Sequence, residues 1–235
     1  MKKPLNEMYD ELVRNCAPDD FWGQVKRTVG GKPVSEEQIE MIVAAVVEAT
    51  DLKPEDCMLD LCCGNGALST RVFSHCAQGH GVDFSEQLIN VAREHFEDAP
   101  RETYQLSDVV EFLRAFPDPK RFTKAFCYGS FQYLPQAMAK AFLAELKQRF
   151  VSVSRVCIGN LPDKERMNDF FREGAYVDGI EDQYDSAIGI WRTRQEFFEL
   201  AAAAGWHTEF RTLPESYHAS HYRYDAVLSR GRYVP

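Results

Sequence analysis

No stretch of this sequence is apolar for anything like the ~20 residues that a membrane-crossing helix needs. Behind the two lysines of MKKPLNEMYDEL there is no apolar run of the kind that makes a signal peptide. From these residues neither an anchor, a leader nor a membrane partner is expected. Positive charge is also short: Lys and Arg number 27 against 36 Asp and Glu, a net charge of -9. Without surplus cations to displace counterions, a nucleic-acid partner is disfavoured. Repeats, low-complexity tracts and an interdomain linker are missing. Cysteine occurs seven times, at 16, 57, 62, 63, 76, 127 and 157, but never in C-x-x-C spacing. The adjacent pair Cys62-Cys63 has no second pair to complete a metal site. An odd count of this kind reads as reduced, packed thiols in a cytoplasmic protein. His218 and His221 stand as H-x-x-H, yet no third ligand accompanies them, so no metal is expected.

What is present is an alternating chain. Of the 235 residues 45% are hydrophobic, enough for one α/β domain with a sizeable core. Residues 5–15 and 19–29 have the pattern of short helices, the second stopped by Gly30-Gly31. Ser35 opens SEEQIEMIVAAVVEA with Gln38 in the position of a capping box. Cys57 to Leu61 reads as a strand and Gly66 to Cys76 as a helix. A second strand ends at Asp83, and Ser85 caps EQLINVAREHFED. TYQLSD, FTKAFCYGS and VSVSRVCIGN read as three more strands, with a helix from about 136 to 149 before the last. Residues 160–190 are polar and irregular. TRQEFFELAAAAG is a helix stopped at Gly205, and WHTEFRTL and YRYDAVLSR close the chain as two strands joined by PESYHASH. Five alternations followed by a strand pair imply a mostly parallel, Rossmann-like sheet of seven strands, the last antiparallel, with helices on both faces. Its ligand belongs at the carboxyl ends of the strands, near the switch point beside the first.

At that point stands LDLCCGNGALS, residues 59–69. Gly64 and Gly66 alone make a weak signal, since a tight turn needs the same residues. Two carboxylates strengthen it. Asp83 ends the second strand, where it can accept hydrogen bonds from ribose hydroxyls, and Asp108 ends the third, where it can meet an adenine amine. A dinucleotide is the rival ligand. It fits less well, because Ser69 stands where its third glycine would be, and Asp60 would repel a pyrophosphate but welcome an ammonium group.

LDLCCGNGALS, GVDFS and LSD together resemble the successive cofactor motifs of class I S-adenosylmethionine-dependent methyltransferases, and the first is most similar to the ubiquinone/menaquinone methyltransferase-like group. The tail, WRTRQEFFELAAAAGW and YRYDAVLSR, is similar to the last helix and strand pair of that fold. The resemblance covers roughly residues 35–230, with Cys62 where the family usually has glycine. It implies S-adenosylmethionine as cofactor and S-adenosylhomocysteine as product. It implies that Gly64 and Gly66 allow close backbone approach, that Asp60 holds the methionine amine and Asp83 the ribose with Phe84 beside it, and that Asp108 and Val109 face the adenine. Tyr128 and Gly129 would pass under the methionine part and the reactive methyl. Residues 1–34 would form a helical lid over a domain at 35–235 with a cap insertion at about 160–190, and Arg27 in that lid is a candidate partner for the methionine carboxylate.

Methyltransferases of exocyclic base amines or glutamine amides carry Asn/Asp-Pro-Pro-aromatic after the fourth strand. This chain has Gly129-Ser130-Phe131-Gln132-Tyr133 there, which turns the expectation to a small-molecule acceptor methylated on O or N. Aromatic residues crowd the three segments that must surround it, so the acceptor is expected to be aromatic or cyclic, touching Phe131, Gln132, Tyr133, Tyr184 and Trp191. His218 and His221, in the last hairpin, are the candidate general bases. A non-catalytic protein that binds the cofactor for interaction purposes is the alternative.

Overall fold

The computed structural model describes residues 5–171 and 176–231; parts of the expected lid (1–4), cap insertion (172–175) and C-terminus (232–235) lie outside them. The chain opens with α1 (Leu5–Asn15), α2 (Phe21–Gln24), a hairpin of β1 (Thr28–Val29) and β2 (Lys32–Pro33), and α3 (Glu36–Thr50). Strand and helix then alternate through β3 (Cys57–Leu61), α4 (Ala67–Phe73), β4 (Gln78–Asp83), α5 (Glu86–His95), β5 (Glu102–Leu106), α6 (Val109–Ala115), β6 (Lys124–Tyr128), α7 (Gln136–Arg149) and β7 (Arg155–Pro162). A short α8 (Met167–Phe170), α9 (Arg194–Ala203), β8 (His207–Arg211) and β9 (Arg223–Ser229) complete the described residues.

The seven-stranded sheet runs β5-β4-β3-β6-β7-β9-β8. Within it β3 to β7 are parallel, and β9 lies antiparallel between β7 and β8. Strand residues point alternately to the two faces, and the core divides accordingly. Leu59, Ala125, Val156 and Ala226 join the cluster under α6, α7 and α9. Met58, Phe126, Cys157 and Val227 join the one under α3, α4 and α5. Covered on both faces, the central strands are buried along their whole length. The order reverses between β3 and β6, which opens a crevice at their carboxyl ends.

Two local expectations are corrected. Residues 19–29 are not one helix: α2 ends at Gln24, and Gly30 and Gly31, with φ of 58° and 77°, make the tight turn of the β1–β2 hairpin. Two glycines in succession favour this mirror-image turn because both central residues need positive φ. Ser35 precedes α3 but makes no capping hydrogen bond, and Gln38 reaches away from it to the β8–β9 connection, donating to the Ser216 carbonyl at 3.0 Å. The capping box forms instead on α9, between Thr193 and Glu196.

Candidate functional site

At the carboxyl ends of β3, β4 and β6 a cavity of about 380 Å³ opens beneath the N-terminal segment. That is within the range of small-molecule and cofactor sites. Its floor begins at the turn after β3. Gly66 caps α4 in the left-handed conformation, φ 80°, and a Cβ there would lie 2.9 Å from the Tyr104 ring. Gly66 is thus a structural requirement of the turn and is not among the residues that line the cavity. Gly64 does line the cavity, as do Cys62 and Asn65.

Three strand-end carboxylates meet the cavity. Asp60, 2% exposed, accepts a hydrogen bond at 2.6 Å from the Ser69 hydroxyl. Burial lifts its carboxyl to about 7; the Ser69 bond opposes this, Asp83 adds to it and Arg27 opposes it. Ser69, met in the sequence only as a missing glycine, is therefore the residue that orients Asp60. Asp83 accepts from the backbone N–H of Gly64 at 2.9 Å and of Ser85 at 3.0 Å, locking β4 to the glycine turn. Burial lifts it to about 6 against those bonds. Asp108 caps α6, one oxygen accepting from Val110 at 2.8 Å and Glu111 at 3.1 Å, and it still lines the cavity beside Val109.

The N-terminal segment covers these acids. Leu5, Tyr9, Val25 and Arg27 line the cavity from above. Tyr9 meets Phe84 edge-on at 6.3 Å, and burial pushes its phenol pKa up. Two side chains fasten the segment. Asp10 accepts from the Ser85 hydroxyl at 2.6 Å, and the Asn65 amide donates to the Phe21 carbonyl at 2.7 Å and to the Gln24 side chain at 2.9 Å. Arg27 lies 5.7 Å over both the Trp22 and Tyr128 rings, and among the described residues no carboxylate forms an ion pair with it.

Beyond β6, Gly129, Tyr133 and Tyr184 line the cavity. Phe131, Gln132 and Trp191 do not. The 3-10 turn after Ser130 sends Phe131 into the core between Phe142 and Phe197. Gln132 folds back to donate to the Gly129 carbonyl at 2.8 Å, and Trp191 is 1% exposed among Phe170, Phe171 and Tyr222. His218 and His221 are not in the cavity wall either. His218 is held by Gln38, whose carbonyl oxygen accepts from both its backbone N–H, at 2.8 Å, and its ring Nδ1, at 3.0 Å. That contact favours the tautomer with Nε2 free to accept a proton. Burial lowers its pKa, and Arg223, His221 and Arg27 lower it further. His221 packs its ring against Tyr222. Among the described residues no three His, Cys, Asp or Glu side chains gather to hold a metal ion, and no helix is long and apolar enough to cross a membrane.

Buried acids beside one unpaired arginine, with apolar walls between, suit a ligand that carries a nucleoside, a cationic centre and a carboxylate. Asp60 keeps one oxygen without a protein donor among the described residues, which leaves it able to accept from an ammonium.

Residues 58–150 match the family model described as a methyltransferase domain. Part of the chain is 36% identical over 83 residues to the ubiquinone biosynthesis O-methyltransferase of Coxiella burnetii, covering 28% of this chain and 36% of that protein. Another match, to the ribosomal RNA small subunit methyltransferase A of a Synechococcus species, is 31% identical over 86 residues, 36% of this chain and 31% of that protein. The chain thus spans about a third of the length of these curated relatives. Its fold is similar to that of magnesium protoporphyrin IX methyltransferase from Synechocystis PCC 6803 with bound SAH, with a TM-score of 0.63, 15% identity, and 96% and 99% of the two chains covered. It is also similar to geranyl diphosphate C-methyltransferase from Streptomyces coelicolor A3(2), with a TM-score of 0.62, 14% identity, and 97% and 98% covered. At such identities the likeness is one of fold.

Proposed function

We propose that this chain, which carries a methyltransferase domain at residues 58–150, uses S-adenosylmethionine to methylate an oxygen or nitrogen of a small aromatic or cyclic acceptor. The observation that carries the reading is the convergence of Asp60, Asp83, Asp108 and Arg27 on one cavity at the sheet's switch point. When bound, the cofactor supplies a sulfonium methyl already activated for transfer. The chain's work is to bind, align and keep water out. Asp60, oriented by Ser69, receives the methionine ammonium, and Arg27 receives its carboxylate. Asp83 takes the ribose hydroxyls with its remaining lone pairs, and Val109 and Asp108 face the adenine. Cys62, Tyr128 and Gly129 flank the methionine part. The N-terminal segment, fastened by Asp10 and Asn65, acts as the lid. Tyr133 and Tyr184 face the acceptor. Of the two candidate bases, both outside the cavity wall, His218 is the better prepared, since burial favours its neutral form and Gln38 leaves Nε2 free; it would serve an acceptor that arrives protonated and reaches past the wall. A cytoplasmic setting with reduced thiols belongs to the same reading.

A small acceptor is favoured over RNA by the net charge of -9. Incubation with methyl-labelled S-adenosylmethionine, against a small-metabolite extract and separately against total RNA, tests the choice. Label is expected in the small molecules. Label in RNA alone would overturn the acceptor class, and no transfer to either, with the cofactor bound, would favour a non-catalytic binding protein.

A further inference from the structure

Past Gly129 stands a second cation that forms no ion pair among the described residues. Arg223 opens β9 and is 9% exposed. One Nη1–H donates to the Asn160 carbonyl at 2.5 Å, and the guanidinium lies 4.8 Å over the Tyr222 ring. Among the described residues it has no other hydrogen-bond acceptor and no ion pair. The acid two residues on, Asp225, accepts from the Asn160 backbone N–H at 2.7 Å and feels the Arg223 charge, but it forms no ion pair with the guanidinium. Taking a guanidinium out of water without an anion is unfavourable. In a chain with 36 acidic residues, an arginine left in this condition is a place for an anion from outside.

The backbone around it is built to hold the guanidinium. Asn160 adopts the left-handed conformation, φ 63°, where the β7–β9 register shifts between Ile158 and Leu161. Bulges of this kind re-aim groups beside functional sites. Here the bulge turns the Asn160 carbonyl onto Arg223 and brings its amide to Gly129, where an added Cβ would lie 3.4 Å from Asn160 Nδ2 and 3.9 Å from Arg27 Nη2. Gly129 lines the cavity, so Arg223 adjoins the cavity through Asn160. Tyr133 reports the same proximity from the cavity wall: burial raises its phenol pKa and the Arg223 charge pulls it back. The flanking side chains are aromatic. Tyr222 stacks near Phe170 at 4.8 Å and Trp191 at 5.9 Å, and the Trp191 Nε1–H is buried without an acceptor.

We propose that Arg223, fixed by the Asn160 carbonyl and shielded by Tyr222, is the anchor of an anion-reading subsite, and that the methyl acceptor carries a carboxylate or phosphate group. This rests on the methyltransferase reading, with Arg27 serving the donor side and Arg223 the acceptor side. The planar guanidinium fork suits either oxyacid bidentately, and the Tyr222 face suits an attached ring.

The full chain saturated with S-adenosylhomocysteine is titrated with benzoate, phenyl phosphate and, as the neutral match, benzamide. At least one acid is expected to bind about tenfold or more tightly than the amide, and which of the two is tighter identifies the oxyacid. Arg223→Gln should erase that preference while S-adenosylhomocysteine affinity stays as in wild type, and Arg223→Lys should keep part of it. Thermal unfolding checks that each variant is folded. If Arg223→Gln does not fold, the wild-type comparison of acid with amide still decides. Equal binding of acid and amide, no acid binding, or an acid preference that survives in folded Arg223→Gln would overturn the subsite. Failure of the chain to bind S-adenosylhomocysteine at all would instead overturn the reading beneath it.

Discussion

Asp60 concentrates the chemistry of the site in one side chain. It is buried, has a single protein donor among the described residues in Ser69, and burial lifts its carboxyl to about 7. A cationic ligand beside it favours the ionised form, so binding must release protons near and below that value. S-adenosylhomocysteine is therefore expected to bind more weakly as pH falls from 8 towards 5.5, with proton uptake by buffer visible when calorimetry is repeated in buffers of different ionisation enthalpy. Asp60→Asn should weaken binding by ~1.5–3 kcal/mol, the scale of a hydrogen bond to a charged group, and flatten the pH dependence. An affinity and proton count unchanged by the substitution would remove Asp60 from the cofactor's amine. The sequence made Asp60, Asp83 and Asp108 legible because each ends a strand at a fixed place after an apolar run. Ser69 could not be read in the same way, since its role depends on the first turn of α4 passing over β3. Phe131 and Trp191 were misplaced for a related reason. An aromatic residue near a strand end serves a pocket or a core equally well, and the 3-10 turn at Phe131–Tyr133 sends Phe131 inward and Tyr133 to the cavity.

Elements rather than residues decide how the cavity closes. The β3–α4 turn reaches back to α2 through Asn65, which donates to Phe21 and Gln24. Loss of two net hydrogen bonds is worth ~1–3 kcal/mol. Asn65→Ala should thus speed hydrogen exchange of the Gln24 and Arg27 amides, both bonded within this segment, by the corresponding factor, while β3 and β6 stay protected. Unchanged exchange would show that the segment is held by other contacts. The sheet was open to prediction because short apolar runs and helix caps are local signals: Ser85, Thr193 and Gly205 stand where their helices begin and end. The lid was less so. Residues 19–29 have helical spacing, yet Gly30-Gly31 specifies a hairpin turn, and that turn chemistry outweighs the propensity of the preceding residues. Gln38 likewise fits a local capping box, but the β8–β9 connection offers it Ser216 and His218 across a long sequence separation.

At the scale of the whole molecule the buried acids set a pH dependence of stability. Burial lifts Asp60 to about 7 and Asp83 and Asp225 to about 6, whereas in the unfolded chain such groups titrate near ~3.9. Between about 4 and about 7 the folded protein therefore holds protons that the unfolded chain releases, and stability falls as pH rises through this window. His80 acts in the opposite sense: burial lowers it to about 4, so stability it withholds at low pH returns as pH rises towards the unfolded value of 6.5. His218, also lowered, works in the same direction as His80. The three acids dominate, and a net charge of -9 adds self-repulsion at neutral pH. The ligand-free protein is expected to melt at a higher temperature at pH 5.5 than at pH 7.5, with a shallower slope in Asp60→Asn; a melting temperature that rises over this interval would refute the assignment. Added S-adenosylhomocysteine should raise the melting temperature more at pH 7.5, where the acids it meets are ionised. The most direct test of a methyl-donor site at this switch point is calorimetric titration of the full chain at pH 7.5 with S-adenosylhomocysteine and, separately, with NAD⁺. One S-adenosylhomocysteine per chain, with no NAD⁺ binding, is the expected result. Absence of S-adenosylhomocysteine binding, or NAD⁺ binding of equal strength, would contradict it.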